Sequence, residues 1–441
     1  MSNHGEEAWE SDHFMLDDAL VSLPVLKERA FNYRWATLPS GVLPLTAASS
    51  DFPVARCVVD AIVNHVMCGY FPYGPSHGLP AFRVAAANYF SERLQAGANS
   101  SLLIGPGLRN ISSDVVMACN AAAAGIYAVS FALLAPGDEV LVMDPVDFLL
   151  DSSIKACRCT VVRYSLSRSR ERNEPRFDLA QLERLVSRRT RLLSICNPVN
   201  PLGIAWTAEE LMQLATFAEV HDLAILSDEV WCDIVHPPFV HVPTASVSSA
   251  AAERTYTVLG FSKSHGLEGL RVGAVVAPSA AVLKRVVAAS HTDSTANGCS
   301  TLAQVAAIAA MEGAGSIESG WLHVWRSHLA WAVRFATNRL NKMAGVIAVC
   351  PEACFIVWAD VSTIIYPSEA DRVGPPREGE LCQFLIDHHR VAVIPGLESF
   401  FGPASRGHIR LSVATSRAIL SVALDRLEEG LAAFATRRRS H

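Results

Sequence analysis

Four polar side chains stand at or just beyond short apolar runs in the middle of the chain, where strands would end. Asn200 lies in "CNPVNPLG", Asp228 in "SDEVWCD" and Lys263 in "GFSKSHG". Arg271 follows the lysine by eight positions, in "GLRVG". A single lysine among small and apolar residues is unusual, because lysines are mostly exposed and surface lysines come with other charges. The residue types therefore indicate chemistry at strand ends rather than a solvated edge.

Each of the four groups has a defined chemical ability. A lysine amine forms a Schiff base with an aldehyde. A carboxylate keeps a pyridine nitrogen protonated, and this makes the ring an electron sink. An asparagine amide donates to a ring phenolate, and an arginine binds a phosphate as a bidentate fork. Together these groups describe a pocket for pyridoxal 5′-phosphate (PLP), with Lys263 as the residue that binds the cofactor aldehyde.

The elements that must position these residues alternate between strand-like and helical patterns. The strand-like ranges are 138–144, 190–198, 223–229, 255–261 and 271–278. Helical periodicity runs through 178–188 and 207–222, with Asp178 and Thr207 as expected N-caps. This alternation predicts an α/β fold, a mostly parallel sheet with helices on both faces. The carboxyl ends of such strands share one edge of the sheet, where ligands bind.

The C-terminal part has a different pattern. A helical region at about 301–344 precedes three strand-like runs, "CFIVWADVS", "VAVIPG" and "HIRLSVA", and a last helix is predicted at 417–433. These runs predict a smaller α+β domain. The expected divisions are 1–50 for an N-terminal segment that packs on the small domain, 51–300 for the large PLP-binding domain and 301–441 for the small domain.

Composition and charge limit the classes of function. Of the 441 residues, 50% are hydrophobic and 18% are charged, which is typical of a globular protein with a large core. The net charge is −6 and no basic stripe is present, so no nucleic-acid partner is expected. The apolar run at 115–135 is long enough to span a membrane, but it is rich in alanine and precedes "PGDEV". This favours a buried helix, and no membrane association is expected.

The N-terminus and the cysteines bear on localisation and metal content. The first residues, "MSNHGEEAWESDHF", are acidic and lack an apolar core, so no signal peptide is predicted. The 11 cysteines then indicate reduced thiols, and no CxxC pair is present to suggest a metal site. We expect a cytoplasmic protein without structural metal, in which His236 and His241 are structural.

The ordered motifs resemble those of fold-type I PLP enzymes of the class I/II aminotransferase superfamily. The pattern "NPxNP(T/L)G … SDE … SKxxxxxGxRxG … RLS" is present in this order, and the resemblance covers about residues 43–427. It implies a fold-type I PLP transferase fold, with a large domain of mostly parallel sheet flanked by helices and a smaller α+β C-terminal domain. It also implies PLP as cofactor, a small-molecule amino-acid substrate, and a homodimer with shared active sites.

Residue by residue, the resemblance assigns roles. Lys263 resembles the lysine that forms the Schiff base, Asp228 the partner of the pyridine nitrogen, and Asn200 the donor to the ring oxygen. Arg271 resembles the arginine that binds the cofactor phosphate. Arg410, in "GHIRLSVA", resembles the arginine that binds the substrate α-carboxylate.

Further contacts to the cofactor phosphate are implied. Tyr73, in "FPYGPSHGLPAFR", resembles the tyrosine that reaches the phosphate of the neighbouring subunit. The phosphate-binding cup is an alanine run at 121–123, so the backbone N–H groups of Ala122 and Ala123 are expected to bind the phosphate. The serine often found three residues before the lysine is a glycine here, and Ser262 is expected to supply a hydroxyl instead.

Two positions around the cofactor ring depart from the family pattern. Family members usually have an aromatic residue two positions after the proline of "DPxY", but "DPVDF" has Asp147 there and Phe148 one position later. We expect either that Phe148 stacks on the ring or that the ring face is covered differently. Trp231 stands where transaminases more often have a tyrosine, and it is expected to contact the cofactor as a donor or as a packing wall.

Two segments resemble the cystathionine β-lyase-type C–S lyase branch. One is "GVLPLTAASSDFPV", in which Ser49 replaces an acid and Asp51 is retained, and both are expected at the substrate. The other is "SDEVWCDIVHPPFVHVP". The resemblance implies β-elimination from a cysteine S-conjugate to a thiol, pyruvate and ammonia, with Lys263 as the base at Cα. The alanine- and arginine-rich composition is compatible with secondary metabolism, as in lincosamide-like antibiotic biosynthesis.

Other functions stay open from the sequence. An aminotransferase or a decarboxylating oxidative deaminase uses the same constellation and differs in the chemistry at the substrate Cα. A PLP-fold protein that has lost its activity and serves as a binding partner is a third class. The presence of Lys263 argues against that class, because a protein that has lost the activity does not require a Schiff-base lysine.

Overall fold

The structure is a computed structural model that describes residues 16–97, 110–168, 175–294, 297–315, 319–367 and 374–439. A seven-stranded sheet and a four-stranded sheet form its framework. The strands in chain order are β1 (Leu43–Pro44), β2 (Val116–Cys119), β3 (Glu139–Asp144), β4 (Thr160–Ser165), β5 (Ser167–Arg168), β6 (Pro175–Arg176), β7 (Thr190–Cys196), β8 (Ala224–Asp228), β9 (Thr255–Gly260), β10 (Gly273–Val276), β11 (Ile347–Ala348), β12 (Ile356–Asp360), β13 (Val391–Ala392), β14 (Ile394–Pro395) and β15 (His408–Ser412).

Helices connect the strands of both sheets. In chain order they are α1 (Tyr33–Ala36), α2 (Arg56–Met67), α3 (Pro80–Gly97), α4 (Ala121–Leu133), α5 (Phe148–Ala156), α6 (Leu179–Leu185), α7 (Ala208–Val220), α8 (Ser249–Arg254), α9 (Ala280–Ser290), α10 (Thr301–Gly313), α11 (Gly320–Leu340), α12 (Ser362–Ile365), α13 (Glu378–His389), α14 (Glu398–Phe401) and α15 (Arg417–Arg439).

The large sheet has the strand order β2-β10-β9-β8-β7-β3-β4. Only β10 runs antiparallel to its neighbours, and the other described pairings are parallel. The residues of β3, β9 and β10 are all buried, as expected for strands covered by helices on both faces. The predicted α/β fold with a mostly parallel sheet is confirmed.

Two helices of this sheet begin at the predicted N-caps. The Asp178 side chain accepts a hydrogen bond from the backbone N–H of Ala180. Thr207 and Glu210 form a capping box, in which each side chain bonds the backbone of the other residue. Both caps satisfy N–H groups that the helix itself leaves unpaired, so the local sequence determines where α6 and α7 start.

The small sheet is antiparallel, with the order β11-β12-β15-β14. The N-terminal segment joins this region through β1, which pairs in parallel with β13. The backbone N–H of Ser412 also donates to Leu45 O at 2.9 Å. These bonds attach the residues that follow β1 to the small-sheet region.

Two expectations about helices need correction. The helical region predicted at 301–344 consists of two helices, α10 and α11, because Gly315 and Gly320 adopt positive φ angles of 88° and 77° between them. The apolar run at 115–135 contains the buried strand β2 and the helix α4. In the part of the chain that the structure describes, no helix has the length and apolar character needed to cross a membrane.

A buried charge network anchors the segment after β8, which carries part of the site. Asp233 is 3% exposed and accepts a hydrogen bond from Arg93 Nε of α3 at 2.7 Å. The Tyr89 hydroxyl donates to the same carboxylate. The Arg93 guanidinium holds the pKa of Asp233 well below its usual range, although burial acts in the opposite direction. The pair therefore stays ionised and ties α3 to the turn that follows Asp228.

Asp233→Ala is expected to destabilise the protein strongly, because it leaves the Arg93 guanidinium buried without its partner. Breaking a buried pair from one side typically costs about 3–5 kcal/mol. Asp60→Ala is the control, since the Arg56–Asp60 pair is exposed and its loss is expected to change the free energy of unfolding by less than about 1 kcal/mol. Urea unfolding of both variants measures the difference, and equal effects would contradict the anchoring role.

Candidate active site

Three adjacent parallel strands, β7, β8 and β9, bring the predicted residues to one edge of the sheet. The backbone N–H of Asn197 donates to Asp228 O at 2.8 Å, which fixes the loop after β7 beside the end of β8. A Cβ on Gly273 would lie 2.8 Å from the backbone nitrogen of Ala122. Glycine at that position therefore lets β10 approach the start of α4.

The side chain of Lys263 lies between the N-terminal segment and this edge. Its Nζ donates to Ala48 O at 2.7 Å and lies 5.5 Å from the centroid of the Trp231 ring. Burial lowers the pKa of Lys263, while the carboxylates of Glu268 and Asp147 act in the opposite direction. A lowered pKa increases the fraction of neutral, nucleophilic amine, which Schiff-base chemistry requires.

Asp228 is the last residue of β8 and is buried. Its Oδ1 accepts a hydrogen bond from the backbone N–H of Val230 at 3.2 Å. Burial, together with the nearby carboxylates of Asp147 and Glu229, raises the pKa of Asp228 to about 7. A carboxylate in this state is suited to bind a cationic N–H group, because pairing offsets the cost of its burial.

A chain of side-chain hydrogen bonds connects the loop after β3 to β15. Asn200 Nδ2 donates to Asp147 Oδ2 at 3.0 Å, and Asn200 Oδ1 accepts from Arg410 Nη1 at 3.4 Å. Arg410 Nη2 also donates to Thr46 O at 3.3 Å. The Nε of this buried guanidinium has no hydrogen-bond partner among the described residues. Arg410 thus keeps donor capacity for an anionic group, such as a carboxylate.

Asp147 occupies the loop position at which the family usually has an aromatic residue. Its Oδ1 accepts from the backbone N–H of Leu149 at 3.1 Å, so it caps α5. Phe148, the first residue of that helix, is 47% exposed. It is the carboxylate of Asp147 that acts electrostatically on Lys263 and Asp228. The cap fixes the start of α5 at Phe148, and the expectation that Phe148 covers the ring face stays a prediction.

Trp231 forms one wall beside Lys263. Its side chain is buried and meets the Phe355 ring edge to face, with centroids 4.8 Å apart and an angle of 72° between the rings. This packing fixes the indole, so it acts on Lys263 as a rigid neighbour. The expected contact of Trp231 with the cofactor itself stays a prediction.

The residues expected at the cofactor phosphate lie at the start of α4 and in the loop after β9. Ala122 and Ala123 belong to the first turn of α4, whose N-cap residue makes no side-chain cap, so the N–H groups of this turn are free to bind an anion. Ser262 is half-buried beside Lys263. Arg271 is exposed, and its Nη1 donates to Glu268 O at 3.1 Å.

The two residues expected at the substrate have partners within the protein. Asp51 Oδ1 accepts from Trp35 Nε1 at 2.8 Å, and its Oδ2 lies 3.7 Å from Arg34 Nη2. Asp51 is thus bound within the protein while it also lines the cavity beside Lys263, and its expected contact with the substrate stays a prediction. Ser49 Oγ donates to the carboxylate of Glu268, so Ser49 lies at the margin of the site.

The remaining predicted residues lie further out. Tyr73 is 93% exposed in the loop before α3. His236 Nε2 lies 2.6 Å from Cys354 O, and burial lowers the pKa of His236 to about 4. His241 Nε2 lies 2.9 Å from Glu229 Oε2. Both histidines are bound within the protein core, in agreement with a structural role.

Sequence reasoning did not recognise two carboxylates at the site. Asp147 was visible as a departure from the family pattern, but its bond to Asn200 spans 53 positions and had no local signal. Glu268 contacts Ser49, which lies 219 positions away. Only the folded chain shows that both carboxylates act on Lys263.

The donor set fits PLP. Lys263 offers an amine with a lowered pKa, and Asp228 offers a buried carboxyl group with a raised pKa. Asn200 and Arg410 are connected beside them. In the described residues, no group of three histidine, cysteine, aspartate or glutamate side chains comes together to hold a metal ion. The chemistry of the site is therefore that of an aldehyde cofactor with a pyridine ring.

Comparison with known proteins agrees with this chemistry. The family model described as aminotransferase class I and II matches residues 40–427. An aspartate aminotransferase from Thermotoga maritima is 30% identical over 397 residues, covering 88% of this chain and 91% of the relative. A PLP-bound protein from Clostridium difficile 630 superposes with a TM-score of 0.78 at 23% identity, covering 95% and 98% of the two chains, which shows a shared fold.

A second solved structure is more similar in sequence. The aromatic aminotransferase from Pyrococcus horikoshii OT3 has a TM-score of 0.76 at 26% identity, over 90% of this chain and 96% of its own. The family match spans both sheets of the structure and the four residues Asn200, Asp228, Lys263 and Arg410. The chain therefore belongs to the class I and II aminotransferase family, and pyridoxal 5′-phosphate is its cofactor.

Proposed function

We propose that this chain is a PLP-dependent aminotransferase that transfers the amino group of an amino acid to a keto acid. The observation that carries the proposal is the position of Asp228 and Lys263 at the ends of the adjacent strands β8 and β9. Arg410, from β15 of the small sheet, is close enough to act electrostatically on Lys263. The name of the Thermotoga maritima relative supports this type of reaction. The branch-specific expectation of C–S cleavage has no such support from the named relatives.

When bound, PLP supplies an electron sink for the bonds at the substrate Cα. Lys263 would hold the cofactor through its aldehyde and would be the base that removes the Cα proton of the substrate. Asp228 would bind the pyridine nitrogen and keep it protonated. Arg410 binds the α-carboxylate, and Asn200 holds that guanidinium in place through its Oδ1. Ser262, Arg271 and the first turn of α4 would hold the phosphate.

A homodimer is part of the proposal. α2 and the loop that follows it carry large apolar side chains that are exposed in the single chain, among them Met67, Phe71 and Tyr73. An apolar surface of this kind is usually covered by a partner. A second copy of the chain would cover it and bring Tyr73 to the phosphate of the neighbouring site. The Ala122 and Ala123 end of α4 would then receive a tyrosine hydroxyl from the partner.

β-Elimination from a cysteine S-conjugate is the second candidate. The observation that favours it is Trp231, which packs 5.5 Å from Lys263 Nζ at a position where transaminases more often have a tyrosine. With tryptophan in place of tyrosine, an indole and not a phenol hydroxyl lies next to Lys263, the base at Cα. A role in antibiotic biosynthesis remains a prediction from composition alone.

The requirement for a keto acid separates these reactions. An aminotransferase is expected to release one equivalent of keto acid per site and then stop, and turnover resumes when a second keto acid is added. A β-lyase needs only one substrate, so sustained release of thiol and pyruvate without added keto acid would contradict the aminotransferase proposal. Release of CO₂ with uptake of oxygen would instead indicate a decarboxylating deaminase. Separate assays for keto acid, thiol and CO₂ on the PLP-loaded protein make the measurement.

A further inference from the structure

A cavity of about 650 Å³ opens beside Lys263. One wall is formed by the N-terminal segment, and the other by the loop that runs from Lys263 to Arg271. Lys263 Nζ donates to Ala48 O, and both residues line the cavity. Because Lys263 lines it, the cavity adjoins the residue at which an amino-acid substrate would react.

The N-terminal wall of this cavity is mainly apolar. Leu20, Val25 and Phe31 line it, and they are 48%, 41% and 76% exposed although they are large hydrophobic side chains. Leu26 and Phe52 add to the same wall. A concave apolar surface gains free energy when a ligand displaces the water that covers it. The wall therefore favours a bulky, apolar group.

The opposite wall carries a carboxylate. Glu268 Oε1 accepts from Ser49 Oγ, and Glu268 Oε2 has no hydrogen-bond partner among the described residues. Arg271 also lines the cavity, but its described hydrogen bond goes to the backbone oxygen of Glu268 and not to the carboxylate. Among the carboxylates that act on Lys263, Glu268 has the largest influence. The negative charge of Glu268 thus lies close to the reacting amine.

We propose that the substrate of this site is an amino acid with a bulky, uncharged side chain, and that Glu268 excludes aspartate and glutamate. The inference rests on the proposed amino-acid chemistry at Lys263. A side-chain carboxylate in the cavity would meet Glu268, and like charges at close range repel each other strongly away from water. Asp147 adds a second negative charge that acts on Lys263 and Arg410. The specificity therefore differs from the one for which the Thermotoga maritima relative is named.

Substrate competition in the PLP-loaded protein tests the proposal. With a keto acid present, kcat/KM for aspartate is expected to be at least about 10²-fold lower than for phenylalanine or S-benzylcysteine, and Glu268→Gln is expected to narrow that gap about tenfold. Glutamine keeps the shape and the acceptor for Ser49 while removing the charge. Glu253→Gln, on the exposed side of α8, is the control and is expected to leave the ratio unchanged. Aspartate turned over within threefold of phenylalanine would overturn the proposal.

Binding without turnover distinguishes this inference from the proposed function. α-Methyl amino acids have no Cα proton to remove, so calorimetry measures their affinity even if the reaction type is different. α-Methylphenylalanine is expected to bind at least about tenfold more tightly than α-methylaspartate, with a smaller difference in Glu268→Gln. Equal affinities, or no binding of either analogue, would overturn the substrate class. Absence of turnover with every amino acid, combined with the expected binding preference, would overturn only the proposed reaction.

Discussion

Lys263→Ala is expected to abolish both turnover and the absorbance of the lysine-bound cofactor. Lys263 is the residue that brings an amine with a lowered pKa to the strand edge occupied by Asp228. Its removal takes away both the covalent attachment of PLP and the base at Cα, so we expect a loss of at least about 10³-fold in kcat. Ultraviolet–visible spectra and steady-state rates of the PLP-loaded variant make the measurement.

An exposed lysine provides the control for this experiment. Lys284 lies on the solvent side of α9, and Lys284→Ala is expected to keep the spectrum and rate of the wild-type protein. Circular dichroism of Lys263→Ala shows whether the sheet is intact. A folded Lys263→Ala protein that retained normal turnover would refute the assignment of the site, whatever the substrate.

The positions of the strands of the large sheet could be predicted, because each strand is a short apolar run in the sequence. The ranges expected at 190–198, 223–229 and 255–261 correspond to β7, β8 and β9, and each observed strand is shorter by one or two residues at its ends. Buried parallel strands are near-continuous apolar runs, and helices with good N-caps separate them. The direction of β10 was not predictable, because an antiparallel edge pairing with β2 depends on contacts between distant parts of the chain.

Site residues at the ends of strands could be predicted from the sequence, and site residues brought in by long-range contacts could not. Asp228 ends β8, and Asn200 and Lys263 follow the neighbouring strands β7 and β9, so parallel topology alone predicts that they share one edge. Glu268 accepts a hydrogen bond from Ser49, and Asp147 accepts one from Asn200. Both bonds join residues that are far apart in the sequence, so no local periodicity predicts them. The contacts of the Asp51 carboxylate with Arg34 and Trp35 had no local signal either, and they appear only in the folded chain.

Asp228→Asn is expected to keep the fold and to lower kcat by at least about 10²-fold, the scale of removing one electrostatic stabiliser. Asparagine cannot hold a proton on the pyridine nitrogen by charge, so the ring is a weaker electron sink. Asp228→Glu is the companion variant, since it keeps the charge and changes only the reach of the carboxylate. We expect it to retain more activity than Asp228→Asn, and a rate for Asp228→Asn within about threefold of wild type would mean that Asp228 does not hold the ring.

Stability measurements separate this loss of function from misfolding. Burial raises the pKa of Asp228 from its usual 3.8 to about 7 in the cofactor-free protein, so the folded state favours the protonated carboxyl. That contribution to stability is fully present below about pH 4 and is lost as the pH rises through 7. Asparagine never ionises, so cofactor-free Asp228→Asn is expected to melt at or above the wild-type Tm at pH 8, with the difference shrinking towards pH 4. If Asp228→Asn were less stable than wild type at pH 8, the lost activity would be explained by misfolding. The expected result would mean that the ionised Asp228 carboxylate lowers the stability of the cofactor-free protein and that its role is to bind the cationic ring.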